Sequence, residues 1–267
     1  MEANEKVDHH TGESAEQALA RLRTANSITM SPELFEKLYL QPQGSVKGDL
    51  RQTFANPTPL GLVGFVVGLT PLSCCLMGWR GAGSLGAADI GVFFFIGGPC
   101  QFFAGILEFF VGNTFPFVVF TTYGGVFLAL AATLQPFYNS AGAYSATGSF
   151  ADGLKTPGFN ASLGFFPLAM AVLNIYFTWC SLRINAVFAL IFIGAGLGFA
   201  LLAAALWGAA EASSSSGNLF VATGGTWFAT AIFAWYLLFI QLSGAVGHAL
   251  PLPVGDFSRL WNKPKHQ

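Results

Sequence analysis

The chain of 267 residues is 53% hydrophobic, and only 9% of its residues are charged. Soluble domains carry about 25% charged residues, so this composition excludes an ordinary water-soluble protein. The formal net charge of −1 provides no basic surface that could neutralise phosphates, which excludes a nucleic-acid partner. We therefore expect a protein whose main environment is the lipid bilayer.

Most of the charged residues precede the apolar part of the chain. Residues 1–52 contain six basic and eight acidic residues, whereas residues 57–250 contain only seven charged residues. This contrast predicts a polar, largely disordered cytosolic tail over residues 1–52 and a cytosolic C-terminal tail over residues 251–267. Segment 31–40 of the first tail has the apolar spacing of a short amphipathic helix.

The apolar part, residues 53–250, divides into segments of membrane-spanning length. A helix needs about 20 mainly apolar residues to cross about 30 Å of hydrocarbon. The segments lack the alternation of apolar and polar residues that a transmembrane β-barrel requires. The sequence thus predicts an all-α membrane protein with six spans, near 58–78, 87–111, 115–135, 161–181, 184–208 and 220–246.

The basic residues predict the orientation of these spans. Cytoplasmic loops are enriched in Lys and Arg, and the two tails together hold most of the basic residues of this chain. A cytoplasmic N-terminus would also place Arg183 inside and leave only Arg80 and Lys155 outside. We therefore expect both termini to be cytoplasmic.

The sequence offers no arrangement of residues typical of an enzyme. Within the apolar part, His248 is the only histidine, so neither a Ser-His-Asp triad nor a metal site can be assembled. Paired carboxylates and a phosphate-binding loop are also missing. We expect no catalysis, no bound metal and no cofactor.

Neutral polar side chains are scattered through the predicted spans. Such groups usually face a bundle interior or a watery cavity, where they could line a path for a small polar solute. Hydrogen bonds between helices would explain any single one equally well. We regard Gln101, Thr121 and Thr122 as candidates for a substrate pathway. The whole group is Asn56, Gln101, Asn113, Thr114, Thr121, Thr122, Tyr123, Asn174 and Gln241.

Glu108 is the only acidic residue well inside a predicted span. An ionisable residue at this depth is costly and is therefore a functional candidate. Its position near the end of the second span, close to Asn113 and Thr114, also suits a structural role in bonding helix ends. Two interpretations stay open for these three residues: handling of a proton or substrate, and anchoring of the helices.

The first span opens with the motif NPTPLGLVGF. Asn56 can cap the helix, and Pro57 and Pro59 fix the backbone at its start. Because free N–H groups at a helix N-terminus attract anions, the motif, including Leu60 and Gly61, is a candidate for substrate contact. It can equally serve only to shape the helix. An aquaporin would need a second Asn-Pro motif in the membrane, which the chain lacks.

Three blocks follow one another along the chain: NPTPLGLVGF (56–65), GGPCQFFAGILEFFVGNTFPFVVFTTYGGVF (97–127) and HALPLPVGD (248–256). Together they resemble the acetate uptake transporter family of bacteria and fungi. The resemblance runs from about residue 50 to residue 257. The long polar tail and the stretch CLMGWRGAG (75–83) are similar to the fungal branch.

The resemblance implies both a fold and a function. It implies six helices around a pore within each protomer, and transport of acetate and similar short monocarboxylates, either coupled to a proton or channel-like. It also implies a multi-pass protein of the plasma membrane, or of an internal membrane. A homo-oligomer is expected as well, since bacterial relatives are hexamers.

In this family the pore has a narrow apolar constriction, to which Phe65 and Tyr123 correspond by resemblance. A narrow apolar ring with one hydroxyl selects by size and demands partial dehydration. Relatives complete the constriction with a leucine of the fifth span, where this chain has Ala195 or Gly196. The pore is then wider or closed by another side chain, and larger monocarboxylates become plausible substrates.

Two other functions remain as alternatives to carboxylate transport. Export of ammonium or ammonia has been proposed for some fungal relatives, although His248 alone gives it poor support. A membrane sensor that transports nothing would signal through its cytosolic tail, residues 1–52. The polar residues dispersed through the spans favour transport over a sensor.

Overall fold

The computed structural model describes residues 54–248 and 250–255. Within this part of the chain there are helices, turns and loops but no strand, and six helices are long and apolar enough to cross a membrane. The predicted all-α membrane fold is therefore confirmed. The amphipathic helix predicted at 31–40 lies outside the described residues. The long helices are α1 Thr58–Leu76, α2 Gly98–Phe110, α3 Thr114–Leu134, α4 Pro157–Ser181, α5 Ala186–Ala210 and α6 Ser216–Ala245.

The second span, Ser84–Phe110, is irregular in its first half. A π-helical turn, Phe93–Gly97, precedes α2. Pro99 has no N–H to bond the carbonyl of Phe95, which is consistent with the change of helix type at this point. Short helical turns also occur at Trp79–Gly81, Ser84–Asp89, Ile90–Val92, Ala141–Tyr144 and Phe150–Gly153.

Side-chain caps fix where two of the spans, α4 and α5, begin. Thr156 accepts a hydrogen bond from the N–H of Phe159, and α4 begins with Pro157 directly after it. Asn185 caps α5 in the same way, accepting from the N–H of Phe188 at 2.9 Å. These caps satisfy backbone donors that would otherwise be left without partners at the helix starts.

The six helices form a closed ring in chain order. Helix α1 packs against α2 and α6, α2 packs against α3, and α5 packs against α4 and α6. The ring closes between α3 and α4, where Tyr123 donates a hydrogen bond to Asn174 at 2.7 Å. We call the end of the ring where α1, α3 and α5 begin the near end, and the opposite end the far end. The described part of the chain, residues 54–255 apart from residue 249, begins and ends at the near end.

Glycines allow the helices of the ring to approach closely. A Cβ atom on Gly61 of α1 would lie 2.5 Å from the ring of Phe120 in α3. On Gly164 of α4 it would lie 2.5 Å from the indole of Trp207 in α5. In lipid the hydrophobic effect does not drive helices together, so their association depends on the close packing that such small residues allow.

The predicted C-terminal tail, residues 251–267, begins with a segment that returns to the ring. The carbonyls of Gly255 and Val254 accept hydrogen bonds from the N–H groups of Ala186 and Val187, at 2.8 and 3.3 Å. Tyr236 of α6 donates to the carbonyl of Pro253 at 2.8 Å. This segment therefore completes the start of α5 at the near end.

Candidate functional site

The centre of the ring is narrowed by Phe65 of α1 and Tyr123 of α3. Their ring centroids are 5.4 Å apart and their planes are nearly perpendicular, at 87°. Both side chains are buried, with 5% and 4% of their surface exposed. The structure thus brings together the two residues that the family resemblance identified as a constriction.

The hydrogen bonds around Tyr123 fix the direction of its hydroxyl proton. The amide nitrogen of Asn174 donates to the backbone carbonyl of Met170 at 2.8 Å, so the amide oxygen of Asn174 faces Tyr123. Since that oxygen can only accept, the tyrosine hydroxyl donates to it. The oxygen of Tyr123 is left with acceptor capacity alone.

Facing Phe65 and Tyr123, α5 contributes the small Ala195 and the larger Phe199, and α6 contributes Trp227. Ala195 of α5 is buried, and the indole N–H of Trp227 in α6 donates to its backbone carbonyl at 3.2 Å. Phe199 lies against this indole with a centroid distance of 5.1 Å and against Tyr123 at 6.3 Å. The sequence indicated a gap near Ala195 but gave no signal that Phe199 and Trp227 stand beside it.

A cavity of about 80 Å³ lies between this constriction and the far end, and we call it the far cavity. The side chains that line it carry only two polar groups, the Tyr123 hydroxyl and the Trp227 N–H. Both groups donate hydrogen bonds to protein acceptors. Cavities with such walls tend to stay free of water. Besides the constriction residues, the wall includes Leu69, Leu72, Phe127, Leu130, Leu163, Phe166, Leu202 and Leu206.

Three phenylalanines pack together between the constriction and the near end. Phe115 of α3, Phe177 of α4 and Phe192 of α5 are in mutual contact, with centroid distances of 5.5 to 6.0 Å. Phe177 also contacts Tyr123 at 6.4 Å. We call these three residues the phenylalanine cluster. It lies between Tyr123 and the near end of the ring.

A second cavity, of about 20 Å³, adjoins the phenylalanine cluster at the near end, and we call it the near cavity. Of the residues that line it, only Thr58 has a polar side chain. The others are Phe115, Pro116, Val119, Phe120, Ile184, Phe188 and Phe192. The two cavities therefore lie on opposite sides of an aromatic barrier.

Glu108 is fully buried beside the near cavity. Its carboxylate accepts a hydrogen bond from the Thr58 hydroxyl and another from the Asn113 amide, both at 2.5 Å. The backbone N–H of Asn113 also donates to the carbonyl of Glu108 at 2.9 Å. The carboxylate thus ties the start of α1 to the end of α2, and Thr58 links it to the cavity wall. Thr114 begins α3 and is exposed.

The opening motif shapes the start of α1. Asn56 accepts a hydrogen bond from the N–H of Thr58 at 3.0 Å, but it lies one residue before the cap position, which Pro57 occupies without a side-chain cap hydrogen bond. Pro57 is buried and Pro59 is half-buried at the first turn. Leu60 is 39% exposed and lies in a groove on the outer face of the ring, away from both cavities.

The polar candidates of α2 and α3 do not line either cavity. Gln101 is fully buried and donates to the carbonyl of Gly97 at 2.8 Å, while its amide oxygen has no partner among the described residues. Thr121 donates to the carbonyl of Phe117, and Thr122 is half-buried. Neither cavity is lined by Gln101, Thr121 or Thr122.

Comparison with known proteins gives consistent results. Residues 39–258 match the GPR1/FUN34/yaaH family. The chain is 43% identical to protein alcS of Aspergillus fumigatus, over 98% of this chain and 99% of that protein. It is 30% identical to the acetate transporter protein patA of Penicillium expansum, over 80% and 84% of the two chains. The structure of the bacterial acetate channel SatP superposes with a TM-score of 0.62 at 27% identity, covering 76% of this chain and 99% of SatP.

Proposed function

Because this chain belongs to the GPR1/FUN34/yaaH family, we propose that it carries acetate and similar short monocarboxylates across a membrane, through the centre of its helix ring. The observation that carries the proposal is the pair of cavities separated by the Phe65–Tyr123 constriction and the phenylalanine cluster. An apolar constriction with a single hydroxyl admits a solute that is small and can shed its water. Acetate has one methyl and one carboxylate and meets both conditions.

The chemistry of the far cavity favours the uncharged acid as the form that passes. Burying an ionised carboxylate in an apolar site without a partner is very costly. The Tyr123 oxygen can accept a hydrogen bond but not donate one, because its proton is directed to Asn174. An undissociated acid has an O–H to donate to it, whereas a carboxylate has none. A proton therefore accompanies each molecule of acid.

This proton needs a donor, because a carboxylic acid with a pKa of about 4 is mostly ionised at neutral pH. Glu108 is the fully buried carboxyl group of the described residues, and Thr58 connects it to the near cavity. We assign it the role of taking up a proton from the aqueous side of the near end and passing it to the carboxylate of the substrate, which leaves Glu108 ionised again. In this role Glu108 also holds the ends of α1 and α2, together with Asn113.

Three finer features belong to the same proposal. The near end faces the cytoplasm, which the basic residues of both tails favour. The protein resides in the plasma membrane and acts as a homo-oligomer, a hexamer by resemblance to bacterial members. Each protomer has its own pathway, because both cavities are lined by one chain.

The test is uptake of labelled acetate by proteoliposomes, with and without an inward proton gradient. We expect uptake that the gradient stimulates. Replacing Tyr123 with Phe keeps the ring but removes the hydroxyl, so we expect uptake to fall about tenfold, which is what a hydrogen bond worth about 1.4 kcal/mol contributes. The control is Tyr236→Phe, which loses its own hydroxyl hydrogen bond, to the carbonyl of Pro253, but lines neither cavity.

Acetate uptake no greater than in empty vesicles would refute the proposal. Release of ammonia from the same vesicles, without acetate flux, would instead support ammonium export. No flux of either solute would support a sensor. Uptake that is equal with and without the gradient would refute the proton coupling and leave a channel for acetate.

A further inference from the structure

We propose that Trp227 of α6 sets the largest alkyl group that the pathway admits. This inference rests on the proposed transport of monocarboxylic acids. It follows from the side chains that line the far cavity, because α5 has only the small Ala195 where the indole of Trp227 lies against it. In relatives this part of the constriction is a leucine of the fifth span, whereas here the bulky side chain comes from α6.

The indole of Trp227 is held in one orientation. Only 4% of its surface is exposed, and its N–H donates to the carbonyl of Ala195 at 3.2 Å. It also lies directly over Gly198, where an added Cβ atom would be 2.1 Å from the indole nitrogen. The absence of side-chain bulk at Ala195 and Gly198 is therefore what allows Trp227 to reach into the ring.

Trp227 forms a continuous wall with the other aromatic residues of the constriction. Phe199 packs edge-on against its indole at 5.1 Å and also contacts Tyr123 at 6.3 Å. Tyr123 in turn contacts Phe65 at 5.4 Å. All four side chains line the far cavity. Trp227 is the bulkiest side chain of this wall, so shortening it would enlarge the cavity most.

The chemistry of the wall identifies the part of the substrate that Trp227 meets. The polar atom of the cavity that can bond a solute is the Tyr123 oxygen, which would take the carboxyl group. The indole N–H is already committed to Ala195, so Trp227 presents apolar surface. The alkyl group of the acid therefore lies against Trp227, and a longer chain meets the indole first.

The experiment measures uptake of labelled acetate and labelled butyrate into the same proteoliposomes. We expect the butyrate-to-acetate ratio to rise about tenfold in Trp227→Leu, because one or two methylenes excluded from an apolar pocket are worth at least this much. The matched control is Trp235→Leu in the same helix, whose side chain is 44% exposed on the outer face and should leave the ratio unchanged.

A second variant tests whether the volume of the side chains at this wall, and not the indole itself, sets the ratio. Ala195→Leu combined with Trp227→Leu returns volume to the wall from α5, and we expect the ratio to fall back towards that of the wild type. If Trp227→Leu does not yield folded protein, Trp227→Phe replaces it, with a smaller rise expected.

Several results would overturn the inference. An unchanged ratio in Trp227→Leu, or in Trp227→Phe where that variant replaces it, would do so, provided that the wild type transports acetate. An equal rise in Trp235→Leu would also do so, since the effect would then not depend on the cavity. Absence of acetate uptake by the wild type would refute the proposed function, and this inference with it.

Discussion

The near end and the far cavity differ in the hydrogen-bond donors that they offer to a buried charge. At the near end, Glu108 is buried but held by Thr58 and Asn113, so a carboxylate can exist there with its hydrogen bonds satisfied. At the far end, the cavity presents apolar walls and one oxygen, that of Tyr123, that can only accept. The near end thus provides hydrogen-bond donors for a buried carboxylate, whereas the far cavity provides none.

Removing the carboxyl group of Glu108 at the near end should have the largest effect. In Glu108→Ala, the Thr58 hydroxyl and the Asn113 amide lose their common acceptor, so we expect the free energy of unfolding to fall by about 2 kcal/mol. Uptake driven by the proton gradient should be abolished. Thermal unfolding in detergent and vesicle uptake measure the two effects.

The control for this variant is Glu211→Ala, which removes an exposed carboxylate at the end of α5. It should change neither stability nor uptake. A Glu108→Gln protein that is stable and fully stimulated by the gradient would restrict Glu108 to a structural role and remove the difference between the two ends.

Opening the barrier between the two ends should have an intermediate effect. In Phe177→Leu the phenylalanine cluster loses one ring, and we expect acetate uptake without a gradient to rise roughly threefold, equivalent to about 0.6 kcal/mol off the barrier. The matched control is Phe103→Leu, because Phe103 is 61% exposed on the outer face. Equal uptake by the two variants would show that the cluster does not limit flux.

The smallest effect should come from the segment that covers the start of α5. Gly255 has a φ of +69°, and a Cβ atom there would lie 2.6 Å from the Cβ atom of Ala186. We expect Gly255→Ala to cost about 1 kcal/mol more than Gly247→Ala, which has a φ of +77° and no neighbour within 4 Å. Thermal unfolding compares them, and equal melting temperatures would mean that the contact with Ala186 contributes nothing.

Hydropathy was sufficient to predict the six spans, because each is long, apolar and almost free of charge. The family motifs were sufficient to predict that Phe65 and Tyr123 lie close together. Neither could predict Trp227, because α5 and α6 are apolar on every face and no stripe of residues shows which face turns inward. The sequence therefore indicated the gap at Ala195 but not the side chain that fills it.

Polar residues in the spans were the least predictable. A polar group at membrane depth can face a pathway or bond to its own helix, and its residue type does not distinguish the two. Thr121 bonds the carbonyl of Phe117 one turn earlier, and Gln101 bonds that of Gly97. Asn174, by contrast, orients the hydroxyl of Tyr123, but nothing in the sequence distinguished it from the others.

The returning segment at 250–255 has a consequence for biosynthesis. The first N–H groups of α5 are bonded by carbonyls that follow α6 in the chain, at Val254 and Gly255. A nascent chain in which all six spans are already inserted would still expose these donors, which carry a cost when left without partners. Insertion and completion of the fold are then separate events, and a translation product ending just after α6 would be a substrate for quality control despite its full set of spans.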